Sequence, residues 1–314
     1  MNEDKKTFHT QRRLNRMIVP CDKLSSHFFN LPADFYRQIG DGKIELNCRE
    51  DKKGEVVTPY WLELVEGYID LSPLDSFDRE VLYACISAYE QGFKGVSIKM
   101  SLNAMTGDGN HSREYGEMVE AFRKSIKRLC FTKITVDVAP LLRAYPKYKK
   151  RYKGDSTCRI SDMLLPARVI EEAVVVNGQE VNFFVEFRGE SPIMTVARLK
   201  NQLLTYDIAP LDVPKQRKTP TATVISNWLL RRVTAITSGR LDNPSIKLET
   251  VYSECGIRNT KWAKQDARQA VEKALNHFVG EGVIESWEWH MENGVYHSIT
   301  IKFQKTRRNH NKKA

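Results

Sequence analysis

Apolar side chains in the middle of the chain recur at intervals of three and four. Phe77, Val81, Leu82, Cys85, Ile86 and Tyr89 do so before Gly92, which predicts an amphipathic helix with Ser76 as its N-cap. A short alternating stretch, Val96 to Met100, reads as a strand, and Ser101 to Met105 as a small helix ended by the turn residues Gly107, Asp108, Gly109 and Asn110. From about Arg113 to Phe131, residues Met118, Val119, Phe122, Ile126, Leu129 and Cys130 share one helical face, and Ile134 to Val138 reads as a strand. Two further strands, Arg168 to Val176 and Val181 to Phe187, flank an Asn177-Gly178-Gln179 turn. A helix is then expected from Ser191 to about Tyr206, with Pro192 in its first turn.

The same grammar returns with sharper punctuation. Thr219 and Pro220 stand as N-cap and first residue of a helix through Val224, Ile225, Trp228, Leu229, Val233 and Ile236. Ile246 to Leu248 reads as a strand, Glu249 to Cys255 as a short helix and Gly256 to Thr260 as a turn. The helix Lys261 to Val279 carries Ala263, Ala267, Ala270, Val271, Ala274, Leu275 and Phe278 on its inner side and ends at Gly280. An Asn293-Gly294 turn predicts a two-residue hairpin in which Glu292 faces Val295. Carried outward, that register sets Ile284 opposite Phe303, Ser286 opposite Ile301, Glu288 opposite Ile299 and His290 opposite His297. Trp287, Trp289, Met291 and Tyr296 then fall on the other face, either as a contact surface or as cover for another element of the chain.

Helix, strand, helix, turn, helix, strand is the order of a winged helix-turn-helix, and it occurs twice. The expected fold class is α+β, with two tandem winged helix-turn-helix domains, at residues 71–206 and 221–304, behind an N-terminal extension. Residues 1–70 lack a sustained period and read as an arm or adaptor with one or two short elements. Residues 207–220, with Pro210, Pro214 and Pro220, read as a linker, and 305–314 as a basic tail.

Composition agrees with a folded chain of about two domains: 314 residues, 41% hydrophobic and 28% charged. No apolar run approaches a membrane span and the first residues have no signal-peptide core, so a cytoplasmic protein is expected. The six cysteines are scattered without a C-x-x-C pair, which points to neither a zinc knuckle nor a disulfide framework. Charge changes the picture more. Residues 141–154 and 302–314 carry six cations each and no acid, more than the whole net charge of +10, so the rest of the chain is slightly acidic. Basicity concentrated in this way suits a polyanionic partner.

The candidate site follows from the helix at Lys261. Lys261, Lys264, Gln265, Arg268 and Glu272 stand opposite its Ala-rich stripe. In a helix-turn-helix the second helix enters the major groove with its N-terminal residues at base edges, so Lys261, Lys264, Gln265 and Arg268 are the expected base readers in double-stranded DNA. The matching helix of the first unit has Glu114, Glu117 and Glu120 in its N-terminal half and Arg123, Lys124, Lys127 and Arg128 in its C-terminal half. Carboxylates at the groove end repel phosphate, which assigns this unit to backbone contact or self-association. Arg123, Lys124, Lys127, Lys147, Lys149, Lys150, Arg151, Lys153, Lys305, Arg307 and Arg308 are the expected phosphate or auxiliary contacts. There is no G-x-x-x-x-G-K-[ST] loop, no His-hydrophobic-His metal pair and no G-x-S-x-G elbow, so no catalysis, cofactor or metal is expected.

With these two domains, the basic linker, and segments such as Leu229-Leu230-Arg231-Arg232-Val233 and Ala197-Arg198-Leu199-Lys200-Asn201-Gln202, the layout resembles the replication initiator proteins of theta-replicating bacterial plasmids over about residues 71–304. The resemblance implies binding to repeated origin sequences, with the C-terminal domain supplying specificity and the N-terminal one dimerisation and further DNA contact. It also implies monomers on origin repeats, autorepressing homodimers, and the host replicative helicase and host initiator as partners. A transcriptional regulator of the same architecture, or a metal-dependent nickase or relaxase, are the alternatives.

Overall fold

The computed structural model describes residues 14–27, 29, 31, 44–49, 57–64, 73–107, 116–143, 150–151, 153–154, 156–174, 180–213 and 218–303. In chain order the elements are β1 (Arg16–Pro20), α1 (Lys23–His27), β2 (Ile44–Arg49), β3 (Val57–Leu64), α2 (Ser76–Glu90), β4 (Gly95–Ser97), α3 (Ile98–Thr106), α4 (Gly116–Phe131), β5 (Thr132–Asp137), α5 (Ala139–Arg143) and β6 (Arg159–Met163). They continue with β7 (Ala167–Val174), β8 (Glu180–Phe187), α6 (Pro192–Leu199), β9 (Leu203–Asp207), α7 (Pro220–Thr237), β10 (Ser245–Lys247), α8 (Leu248–Glu254), α9 (Lys261–Gly280), β11 (Ser286–Glu292) and β12 (Val295–Lys302). Helix and strand are mixed throughout, as an α+β chain requires.

Two units share one topology. In the first, α2, β4, α3 and α4 are followed by the β7–β8 hairpin, and the sheet order is β4-β8-β7. In the second, α7, β10, α8 and α9 are followed by the β11–β12 hairpin, and the sheet order is β10-β12-β11. In both, the short strand pairs antiparallel with the second strand of the hairpin.

The first unit holds an insertion that the pattern of the sequence does not show. Residues expected to form an arm supply β2 and β3, which join β5 and β6 in a four-stranded antiparallel sheet of order β2-β3-β5-β6. β1 pairs with β9 along its whole length, from Arg16 opposite Asp207 to Pro20 opposite Leu203. This ribbon lies on α2, where the Ser87 hydroxyl accepts from the Ile18 amide at 2.8 Å and donates to the Ile18 carbonyl at 3.1 Å.

Two local readings need correction. The helix expected from Ser191 to about Tyr206 ends at Leu199, because Asn201 takes a left-handed conformation (φ 53). Leu203 to Asp207 then alternates, with Leu204 and Tyr206 buried and Thr205 and Asp207 exposed, which is the period of a strand. The strand expected at Val96–Met100 stops at Ser97, whose hydroxyl caps α3 by accepting from the Met100 amide. The segment read as a linker is packed rather than free at both described ends. Lys218 is buried and donates to the carbonyls of Thr106 (3.3 Å) and Leu211 (3.4 Å). Gly107 (φ 77) lies so close to this segment that an added Cβ would stand 2.3 Å from the Asp212 amide.

At the centre is α2, buried on every side from Ser76 to Ala88. Asp75, one residue before the expected Ser76, caps it by accepting from the amides of Phe77 and Asp78, and the Asp78 carboxylate accepts from the Asp75 amide, closing a capping box. Its buried polar residues join the units. Asp78 receives both guanidinium arms of Arg128 on α4, at 2.9 and 2.7 Å. Glu80 is paired with Arg231 on α7, with Nη2 to Oε1 at 2.6 Å. Arg79 donates to the carbonyl of Glu254 at the end of α8, and Ser76 to the carbonyl of Cys255. Burial alone would lower the Arg231 pKa, but the adjacent Glu80 carboxylate raises it above the ordinary arginine value, so the guanidinium keeps its charge. On the far side of α7, Asn227 donates to the Met105 carbonyl at 2.6 Å.

Candidate nucleic-acid interface

Thr260 caps α9 by accepting from the Ala263 amide. Ala267, Ala270, Val271, Ala274, Leu275 and Phe278 form the buried stripe, and Trp228 and Leu229 of α7 belong to the same core. Small residues on that stripe let α9 approach α7 closely. The outward face then begins at the first turn. Lys261, Trp262, Asp266, Gln269, Glu272 and Lys273 are exposed, and Gln265 is half-buried.

Of the four expected base readers, Lys261 is exposed on the first turn and Gln265 is half-buried one turn later. Lys264 and Arg268 sit on the flank, each against a ring. The Lys264 ammonium lies 5.4 Å from the Tyr252 ring of α8, and the Arg268 guanidinium 5.1 Å from the Tyr296 ring of β12. Burial pushes the Tyr252 phenol up, and the neighbouring Arg268 guanidinium acts against that shift. Arg268 therefore spans the groove between the helix pair and the hairpin, held by cation–π contact yet half-exposed.

The hairpin departs from its expected register. Asn293 (φ 51) and Gly294 (φ 77) form the expected turn, and Glu292 faces Val295. Beyond Met291, which faces Tyr296, the register shifts, and His290 faces Ser298. His297 is the extra residue of a bulge, and a one-residue slip exchanges the faces. Ile299 thus faces Trp289 and Ile301 faces Trp287, on the core side, where Glu288 and Ser286 were the expected partners. His290 and His297 do not face each other; His290 bonds Thr300 at 2.8 Å. Among the described residues, no group of three or more His, Cys, Asp or Glu is placed to hold a metal ion.

The tryptophans cover their own domain. Trp287 donates to Asn276 of α9 at 2.9 Å, meets Trp289 edge-on at 5.2 Å, and Trp289 meets Tyr296 at 5.2 Å. This ladder of rings runs from the back half of α9 to the tyrosine beneath Arg268. At the hairpin tip Met291 and Val295 are exposed.

Trp262 was not among the expected site residues and is the most exposed large apolar side chain on the described surface, at 74%. A tryptophan beside the cap of an otherwise cationic helix was a readable signal. Arg258, exposed in the turn before α9, was missed for want of any helical spacing.

The first unit presents a different helix. Arg128 of α4 is bound to Asp78. Arg123 lies 5.8 Å from the Phe183 ring, with its Nε buried and unbonded. Lys124 is exposed and paired with Glu120 at 3.7 Å, and Lys127 is exposed. Lys150, Arg151 and Lys153 are exposed between α5 and β6, beside the inserted sheet and away from the β7–β8 hairpin in sequence. Lys147, Lys149, Lys305, Arg307 and Arg308 lie outside the described residues, as do the Asn177-Gly178-Gln179 turn and Glu114.

These features define an α+β protein built of two like units, the second of which exposes a polar, cationic helix beside a hairpin. The sequence matches no protein-family model and no curated protein. Two crystal structures of domains 2 and 3 of RctB, one of selenomethionine derivatives, are similar to this chain at a TM-score of 0.41, with 12% and 11% identity over 83% of this chain and 91% of theirs. Among the described residues, no helix is long and apolar enough to cross a membrane.

Proposed function

We propose that the chain is a tandem winged-helix protein that binds double-stranded DNA and initiates replication of a plasmid or mobile element at origin repeats. The carrying observation is the placement of Arg268 between Tyr252 and Tyr296, with Lys261, Trp262 and Gln265 projecting from the first turns of α9. A helix entering the major groove N-terminus first brings Lys261 and Gln265 to base edges and Trp262 to an apolar contact such as a thymine methyl, while Arg268 contacts a base or phosphate between helix and wing. Lys264 on its ring serves the backbone. The first unit then contributes backbone contact and self-association, in exchange between monomer and homodimer, and the host replicative helicase and host initiator are its partners at the origin. No catalytic step by the chain itself enters this reading, in which the protein works by binding alone.

Footprinting of the DNA beside the gene tests DNA recognition: protected direct repeats are expected, and salt-sensitive binding with no footprint would sink it. A replication assay separates the initiator from a transcriptional regulator. A circle carrying only this gene and its flanking DNA is expected to be maintained, and to be lost with Arg268→Ala. Repeats that are bound without maintenance point to the regulator. Incubation of the protein with supercoiled DNA and a divalent metal is expected to leave it unnicked.

A further inference from the structure

A cavity of about 480 Å³ opens where the β1–α1 corner, α2, β9, α7 and α8 meet. Its volume is in the range of about 300 to 1,000 Å³ usual for small-molecule sites. No residue of α9, β11 or β12 lines it, so it is separate from the candidate nucleic-acid interface.

Four guanidiniums stand in its wall, and two already have carboxylates. Arg231 is held by Glu80, and Arg79 by Glu254 at 3.6 Å. The other carboxylate of the wall, Asp22, is bound by Lys200 at 2.9 Å. Arg232 and Arg240 form no ion pair among the described residues. Arg232 has its Nε buried without a hydrogen-bond partner. Among the described residues, the Arg240 guanidinium reaches the Cys21 sulfur, at 3.6 Å. Burial lowers the Arg232 pKa, with Glu254 opposing that shift from beyond ion-pair distance, so the guanidinium is desolvated without full compensation. Trp228, Leu204, Ala235 and Leu241 supply an apolar wall to the same cavity.

We propose that this cavity binds a small phosphate monoester with an apolar or aromatic body, its phosphate held by Arg232 and Arg240 and its body against Trp228 and Leu204. Two planar forks without carboxylates suit the oxygens of one dianion, and phosphate offers three of them. A ligand there bridges α2 of the first unit to α7 and α8 of the second, so it stabilises the joint between them.

Adenosine 5′-monophosphate, inorganic phosphate and succinate are the probes, read with the full chain by thermal melting and calorimetric titration. A saturable rise in Tm with the nucleotide is expected, with inorganic phosphate about tenfold weaker for want of the apolar contact. Arg232→Gln is expected to weaken nucleotide binding by about tenfold or more, the loss of one charge-assisted pair, and Arg232→Gln/Arg240→Gln to abolish it. No rise in Tm, undiminished binding by the double variant, or succinate binding as tightly as the nucleotide would each overturn the proposal. If Arg232→Gln lowers the melt of the free protein, Arg240→Gln at the exposed position carries the same expectation.

Discussion

The two units repeat one order of helices and strands and use the corresponding helix for opposite ends. On α4, the arginine with the best geometry, Arg128, points inward and holds Asp78 with both arms. On α9, Arg268 points across the surface and rests on Tyr296 of the hairpin. The ladder Trp287, Trp289, Tyr296 supports that resting place, whereas Phe183 on the first hairpin packs into the core against Phe122. The same frame therefore becomes a structural joint when its cations meet buried carboxylates, and an open cationic face when they meet rings at the surface.

The largest effect that can break this contrast lies at the joint. Removing one partner from a buried ion pair leaves the other uncompensated, at a cost of about 3 to 5 kcal/mol. Arg128→Ala and Arg231→Ala are each expected to destabilise by that order in urea unfolding, leaving Asp78 without its guanidinium and Glu80 with Arg79 alone, both without solvent exposure. Replacing both members, as Glu80→Leu with Arg231→Met, is expected to restore most of the loss, since apolar isosteres often match a buried pair. Single variants that unfold like wild type would remove the structural role assigned to the first unit.

Arg268→Ala is the reciprocal test. It is expected to leave stability within about 0.5 kcal/mol, as for surface changes generally, and to cost about 1 to 3 kcal/mol of affinity and base discrimination on an origin repeat. Unchanged discrimination between repeat and random duplex would move base reading off this helix. Trp262→Ala sharpens the point. At 74% exposure its ring contributes little to the fold, so a loss of about 1 kcal/mol in DNA affinity with an unchanged melt is expected from one lost apolar base contact.

How much of this was readable before the structure depends on the range of the interaction. The cap at Thr219, the buried stripe of α9 and the Asn293-Gly294 turn are local, and each lies where the pattern placed it. The consecutive polar residues Asp78-Arg79-Glu80 carry no local sign of burial, yet all three are buried, because their partners Arg128, Glu254 and Arg231 are 50, 175 and 151 residues away. β1 is five residues long and gains its meaning from β9, which no local period announces. The expected hairpin register holds for two pairs from its turn and then fails, because the bulge at His297 contains no glycine to mark it. In the candidate site, residue types and spacing identified the helix, but the two rings that hold Lys264 and Arg268 come from other elements, Tyr252 from α8 and Tyr296 from β12.

The smallest expected effect concerns the cations that the first unit leaves exposed. Lys127 has no carboxylate within 4 Å among the described residues, and Lys124 is engaged by Glu120 at 3.7 Å one turn away. Such a surface pair is worth about 0.5 kcal/mol or less, so neither substitution should affect the melt. If Lys127 touches the DNA backbone, Lys127→Ala weakens specific and random duplex equally and lowers the slope of log affinity against log salt by about 0.9, the value for one phosphate. Lys124→Ala should change that slope less, since its ammonium must leave Glu120 to reach a phosphate. A change in base preference from either substitution would show that the first unit also reads sequence, and the division of labour between α4 and α9 would fail at its weakest contact.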